Sequence, residues 1–337
     1  MKAVIKYRVN TEEHVLLGEV APLNQPYVLL IDPCNRCNFR CKFCPTGNHQ
    51  LIKSTGRFQG ILDFDLFKKI IDDLKEFDEP IRVLRLYKEG EPLLNKNFSH
   101  MVKYAKQSGL VKKIDTTTNG SLLNPELNRK IIDAGLGQIN ISVNGVNTDQ
   151  IYYYTGVRID FDKYVANIRD LYENRGNCEI SIKAIKENLT DEEQKQFFDI
   201  FGDISNRIVL ENLSPAWPQF QFHEDIKMEF CCGNYGQEII PRQICPYIFY
   251  IMVINTSGKV STCVGDWPNR LIMGNIKTQS VKDVWLGRVL NDLRINHLKG
   301  HRSDCTFCRD CEVVTHGTLD NMDDYADKIL FRMGVQT

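Results

Sequence analysis

The sequence predicts an α/β protein: a partial barrel of six βα units, followed by a small domain built from a β-hairpin and a helix. Three observations carry this. From about residue 27, short apolar runs alternate with longer amphipathic ones. Such alternation implies a mainly parallel sheet with right-handed crossovers. Six units fall short of the eight that close a barrel. The rhythm then stops after Glu211, and the rest of the chain carries prolines, a hairpin signal and closely spaced cysteines.

In chain order, strands are expected at Tyr27–Asp32, Ile81–Tyr87, Lys112–Thr117, Gln138–Val143, Glu179–Ile185 and Arg207–Glu211. Helices are expected between them, at Asp63–Phe77, Asn97–Gly109, Asn124–Gly135, Phe161–Asn174 and Asp191–Phe201. Leu66, Phe67, Ile70, Ile71, Leu74 and Phe77 keep the spacing of a helix that covers a sheet. Asp63 and Asn124 are residue types that open helices, and Gly109 and Gly135 are placed to close them. In a parallel architecture the active site belongs at the C-terminal ends of the strands, where the loops gather.

Past Glu211, the stretch 212–246 holds Pro215, Trp217 and Pro218 and has no βα period. Tyr247–Ile254 and Lys259–Cys263, separated by Asn255-Thr256-Ser257-Gly258, predict the hairpin. Val281–Leu298 predicts an amphipathic helix. The expected division is an N-terminal extension (1–26), the barrel (27–215), a linker (216–244), an auxiliary domain (245–318) and a C-terminal tail or helix (319–337).

Composition narrows the function. With 42% hydrophobic and 25% charged residues the chain reads as a soluble globular protein. Its formal net charge of −1 gives no global pull toward nucleic acid or an anionic membrane, and neither is an expected partner. No apolar run of signal-peptide or bilayer-spanning type is present, so a cytoplasmic location is expected. Twelve cysteines are then the anomaly. In a reducing compartment they do not form a disulfide framework, and eleven of them lie in or near clusters, which points to metal.

The first cluster follows the first strand: Cys34-Asn-Arg-Cys37-Asn-Phe-Arg-Cys41-Lys-Phe-Cys44. From Cys37 the spacing is C-x3-C-x2-C, with Phe43 just before the last thiol. Three thiolates this close on one loop suit three irons of a cubane and leave the fourth iron open. A four-cysteine zinc site that includes Cys34 is the alternative, but zinc sites normally put a longer loop between their pairs.

This segment resembles the signature of the radical S-adenosylmethionine (SAM) superfamily, in its usual place after the first strand. The resemblance implies a [4Fe–4S] cluster on Cys37, Cys41 and Cys44, SAM chelating the open iron, and a 5′-deoxyadenosyl radical that abstracts hydrogen from substrate. It also implies an electron donor such as flavodoxin or ferredoxin. Lys88-Glu89-Gly90-Glu91-Pro92 is similar to the family's GGEP segment. Lys88 and Glu89 depart from the double-glycine form, so only Gly90, Glu91 and Pro92 are carried over as SAM-binding. Thr117-Thr118-Asn119-Gly120 and Ile141-Ser142-Val143-Asn144-Gly145 keep the family's rhythm. They make Asn119, Ser142 and Asn144, with Phe43, the remaining SAM contacts that the likeness implies. The family's glycine-rich adenine segment is absent, and Lys183-Ala184-Ile185 stands there.

The second cluster resembles the SPASM and twitch domains, which bind auxiliary [4Fe–4S] clusters. Cys245, Gly258 and Cys263 have the spacing of their opening segment, and Cys305, Cys308 and Cys311 supply the return. Five cysteines suffice for one cluster of four ligands. Cys245, Cys263, Cys308 and Cys311 are the preferred set, with Cys305 as the alternative; structural zinc on the same ligands is the competing reading.

The resemblance then implies redox chemistry on a small polar metabolite, with dehydrogenation of a sugar or cyclitol carbinol as the best match and the auxiliary cluster as electron acceptor. Lys88, Glu89 and Glu211 are candidate bases by strand-end position. Epimerisation, with Cys231 or Cys232 as hydrogen donor, is the second reading. Peptide maturation ranks third, because residues 1–26 are few for a peptide-recognition domain. Tyr152, Tyr153, Tyr154 and Trp217 are candidates for the pocket wall, Arg85, Glu211 and Arg158 are candidates for substrate contacts by position, and Cys178 reads as core.

Overall fold

The structure is a computed structural model and describes residues 1–7, 15–226 and 232–336. Six parallel strands form its middle, at the places where the apolar runs lie: β2 (Val28–Ile31), β3 (Ile81–Leu86), β4 (Val111–Thr118), β5 (Gln138–Ser142), β6 (Glu179–Ile185) and β7 (Arg207–Glu211). They pair in sequence order, each with the next, in parallel register. All four residues of β2 are buried, as the centre of a sheet covered on both faces requires.

Helices cover the outer face. Phe64–Asp73 is opened by Asp63, whose side chain accepts from Leu66 N, and it turns Phe67, Ile70 and Ile71 onto the sheet. Each such fully buried side chain contributes about 1.5–3 kcal/mol. Pro125–Asp133 is opened by Asn124 in the same way, and Gly109, at φ 70°, closes Phe98–Ser108.

The sheet does not stop at six strands. Its full order adds β1 (Val4–Ile5) beside β7, and at the other edge β8 (Ile251–Ile254), β9 (Lys259–Ser261) and β10 (Gly274–Asn275). Strand β8 runs parallel to β2, with Val28 opposite Ile251 and Ile31 opposite Ile254. The cysteine-rich C-terminal part is therefore hydrogen-bonded into the barrel sheet.

Two expected elements change. The first arm of the hairpin begins as a helical turn, Tyr247–Tyr250, because Pro246 holds a helical backbone (φ −68°, ψ −25°); only Ile251–Ile254 is strand. The expected helix over 281–298 is two, Val281–Trp285 and Arg288–Leu298, broken where Gly287 turns extended (ψ 155°). Among the described residues no helix is long and apolar enough to cross a membrane.

Candidate active site

Three strand-end loops meet above β2, β3 and β4. The loop after β2 brings Cys37, Cys41 and Cys44 together, close enough that Cys37 and Cys44 both act electrostatically on Cys41. Burial raises all three thiols, Cys37 to about 12, and the neighbouring thiols raise Cys37 and Cys41 further. A group of enclosed thiols that resists ionisation is relieved by a cation, because a coordinating thiol is deprotonated outright. The residues present therefore fit an iron site. Cys34 is apart from them: it is 1% exposed and donates to Arg36 O at 3.5 Å.

Gly90 explains how the next loop comes so near. A Cβ at this position would run into the backbone of Cys34 and Arg36, so only glycine permits the approach. Glu91 N then donates to Arg36 O at 2.9 Å. The Glu91 carboxylate turns the other way and accepts from Thr118 Oγ1 (2.6 Å), Asn119 N (2.8 Å) and Leu93 N (3.1 Å). Burial pushes its pKa up to about 7 against these three bonds. Pro92 opens the short 3₁₀ turn Pro92–Leu94 behind it. Asn119 closes the circle: its Nδ2 donates to Asn38 Oδ1 at 2.9 Å and points at Cys37 Sγ, 3.9 Å away.

A cavity of about 320 Å³ lies over the three sulfurs and is lined by Phe43, Gly90, Glu91, Asn119, Ser142 and Asn144. Sequence reasoning missed Leu213, Phe222 and Asn234, which also line it. They come from the stretch without secondary-structure period, where no local pattern marks a wall residue. A second cavity, of about 530 Å³, opens from the first into the barrel interior. Both are lined by Tyr87, Lys88, Thr117, Lys183, Glu211 and Trp217. Lys183 Nζ and Glu211 Oε2 are 2.5 Å apart. Deeper in, Arg85 faces Asp115 at 3.6 Å, and Tyr235, Tyr247 and Tyr250 form a wall.

Other expected site residues are closed off or lie elsewhere. Lys88 and Glu89 are side by side with 1% side-chain exposure each. The three protons of Lys88 go to Glu89 Oε1 (2.5 Å), Asn255 Oδ1 (2.9 Å) and Asp266 O (3.0 Å), while Glu89 also meets Arg57. Neither is an available base: both are buried, and Glu89 gives its two oxygens to two cations, Lys88 and Arg57, whereas the Lys183–Glu211 pair is partly exposed. Arg158 is exposed and paired with Asp149, and Tyr152 and Tyr153 are exposed, so these do not face the cavities. Tyr154 donates to Asn188 O, and Cys178 is core. Cys231 falls outside the described residues. Cys232 is near Tyr7, whose phenol is raised first by burial and then by Cys232 and Glu211.

The five C-terminal cysteines also gather. Cys245 and Cys311 both act on Cys263, and Cys245 and Cys263 both act on Cys308. Burial raises Cys245 to about 12, and raises Cys263 and Cys311. Cys308 is raised by its hydrogen bond with Cys305 and by burial, and the same bond draws Cys305 down to about 6. Cys305 is the outermost of the five in this arrangement, facing Cys308 and Asp266. Among the described residues, no three Cys, His, Asp or Glu side chains converge tightly enough for a single metal ion.

Comparison with known proteins agrees with this geometry. The radical SAM superfamily model matches residues 31–197, and the SPASM iron–sulfur cluster-binding domain model matches 245–312. The chain belongs to the radical SAM superfamily. Its cofactors are SAM and [4Fe–4S] clusters, one in the radical SAM domain and one in the SPASM region. An AdoMet-dependent heme synthase of Methanosarcina barkeri is 23% identical, over 87% of this chain and 92% of that protein. The structure of BtrN in complex with AdoMet and 2-DOIA is similar with a TM-score of 0.55 at 19% identity, over 88% of this chain and 97% of BtrN. Streptococcus suis SuiB bound to precursor peptide SuiA gives a TM-score of 0.62 at 15% identity, over 86% and 71%. At these identities the two structures establish the fold.

Proposed function

We propose that Cys37, Cys41 and Cys44 ligate the SAM-binding cluster, that Cys245, Cys263, Cys308 and Cys311 ligate the second, and that the enzyme oxidises a carbinol carbon of a small polar metabolite, a sugar or cyclitol. When bound, SAM and its cluster supply a 5′-deoxyadenosyl radical to take the carbinol hydrogen, and the second cluster supplies an acceptor for the remaining electron. The observation that carries the reading is the junction of the two cavities at Lys183 and Glu211.

The 530 Å³ interior is the size of a metabolite pocket, within the usual range of about 300–1,000 Å³. Its tyrosines stack on an apolar sugar face, and its paired charges hold hydroxyls. Glu211 is the carboxylate that lines both cavities, where a substrate would meet SAM. Its role is to accept the hydroxyl proton, and Lys183 orients it.

One observation favours a second reading, epimerisation: Cys232 and Glu211, the last residue of β7, both act electrostatically on Tyr7. Turnover in deuterated water separates the two. A dehydrogenase gives a product two electrons more oxidised, with no deuterium at the abstracted carbon, and Cys232→Ala turns over normally. An isomeric product labelled with deuterium, and lost in Cys232→Ala, would replace the dehydrogenase reading with the epimerase.

A further inference from the structure

Between the two cysteine loops runs a buried chain of charges that substrate binding does not explain. Arg57, with no exposed side-chain surface, donates to Thr46 Oγ1 at 3.3 Å, two residues past Cys44. It also donates to Trp267 O at 2.5 Å and meets Glu89. Glu89 in turn holds Lys88, and Lys88 donates to Asp266 O, three residues past Cys263, and to Asn255 Oδ1. Two cations thus reach from the SAM side into one short stretch of the second cysteine loop. Each cation also feels one cysteine loop: Cys44 acts on Arg57 and Cys263 on Lys88, while Asp32 and Asp266 act on both.

A chain that only stitched two loops together would not need buried charge, because burying an ion costs several kcal/mol even when it is paired. The carboxylates facing Lys88 are Glu89, Asp32 and Asp266. With both cations present the group is close to balanced. Without Lys88, Arg57 alone opposes three acids.

We propose that Lys88 is a positioning residue for the second cluster: a fixed, buried cation that ties the Cys263 loop to the strand ends of the SAM site and raises the reduction potential of the cluster that loop holds. On reduction a [4Fe–4S] cluster takes up one electron and one unit of negative charge, with no bond made or broken. A cation fixed nearby in a low-dielectric interior stabilises that added charge. The consequence is a cluster better able to accept an electron from the barrel interior. This rests on the second cluster and not on the identity of the substrate.

The test is an EPR-monitored redox titration of the reconstituted holoenzyme, with iron counted in the same samples. The SAM-site signal is identified by its change on adding SAM. Lys88→Gln removes the charge and leaves an amide donor on a shorter side chain; Lys88→Arg keeps the charge and the reach. The expected result is full iron content in both, a more negative second-cluster potential in Lys88→Gln, and the parent value in Lys88→Arg. Loss of the second cluster in Lys88→Gln alone upholds the tie that the long cation makes to the Cys263 loop. An unchanged potential in Lys88→Gln at full iron overturns the proposal, as does loss of the cluster in both variants, which would make the role one of shape. About four irons in the parent would instead remove the second cluster itself, a failure distinct from these.

Discussion

Gly90→Ala tests the geometry of the SAM site with a single methyl group. A Cβ built on Gly90 meets Arg36 N at 2.7 Å, and the Cys34 and Arg36 carbonyl oxygens closer still. Ordinary contact begins at 3.4 Å, so the cysteine loop must retreat by at least 0.7 Å, from 2.7 to 3.4 Å. The Glu91 N to Arg36 O bond then stretches from 2.9 to about 3.6 Å, outside the hydrogen-bond range of about 3.2 Å. Overpacking of this kind costs about 1–3 kcal/mol, and the lost bond about 1 kcal/mol more. The larger effect is on chemistry, since a displacement near 1 Å costs on the order of 10²-fold. The assay is reductant-driven formation of 5′-deoxyadenosine without substrate, with iron content measured alongside. The expected outcome is a folded protein whose deoxyadenosine rate falls by about 10²-fold. Gly109→Ala is the control: at φ 70° it is strained by about 1–2 kcal/mol, but no atom lies within 4 Å of its Cβ, so the rate should not change. A Gly90→Ala variant with the parent's rate and iron content would refute the close approach and the role given to this loop.

Three further outcomes follow from the same structure. Changing Cys37, Cys41 and Cys44 together to Ala should lower iron from about eight to about four per chain and abolish deoxyadenosine formation; retained iron at eight would place the cluster elsewhere. Glu211→Gln should lower product formation by about 10²-fold or more while uncoupled deoxyadenosine formation persists; equal loss of both would assign Glu211 to SAM binding. His297, 1% exposed and accepting from Cys245 N at 3.3 Å, is held down to about 4 by burial and then by Arg302. The folded apo-protein therefore binds fewer protons than the unfolded chain between pH about 4 and 6.5, and its stability falls as pH drops through that window, by roughly 3 kcal/mol in all. Thermal melts at pH 7 and pH 5 should show the loss in the parent and not in His297→Gln; equal losses in both would clear the histidine.

The barrel was legible because its signals are local. Leu66 to Phe77 show a helical period, Val28–Ile31 an unbroken apolar run, and Cys37 to Cys44 a spacing that few sites other than a cluster require. What stayed hidden depends on partners far away in the chain. Val4 and Ile5 favour strand, but two residues are too short a signal alone, and they become strand by pairing with Arg207 and Ile208. Phe222 and Asn234 reach the cavity through a stretch without period. Lys88 and Glu89 read as strand-end acid–base residues, the position at which chemistry is sought in this architecture. Only the arrival of Arg57, Asn255 and Asp266, from 31 residues before and 167 and 178 after Lys88, makes them a closed pair.

That closure follows from the pairing of β2. Ile31 stands opposite both Leu86 of β3 and Ile254 of β8, so all three strands end at one level and their loops leave the same edge of the sheet. Asp32 N continues the ladder to Ile254 O at 3.0 Å, and Asp32 Oδ2 accepts from Thr256 at 3.0 Å. The loop after β3 is thereby held two strand spacings, about 10 Å, from the loop after β8. A residue spanning that gap across the end of β2 must be long and must find acceptors on arrival. Lys88 has the length, and Asn255 and Asp266 supply the acceptors. Because the C-terminal strands extend the barrel sheet instead of forming a separate one, both cysteine loops share a single backbone frame. The distance between the two cluster sites is then set by strand register, which side-chain motion does not alter.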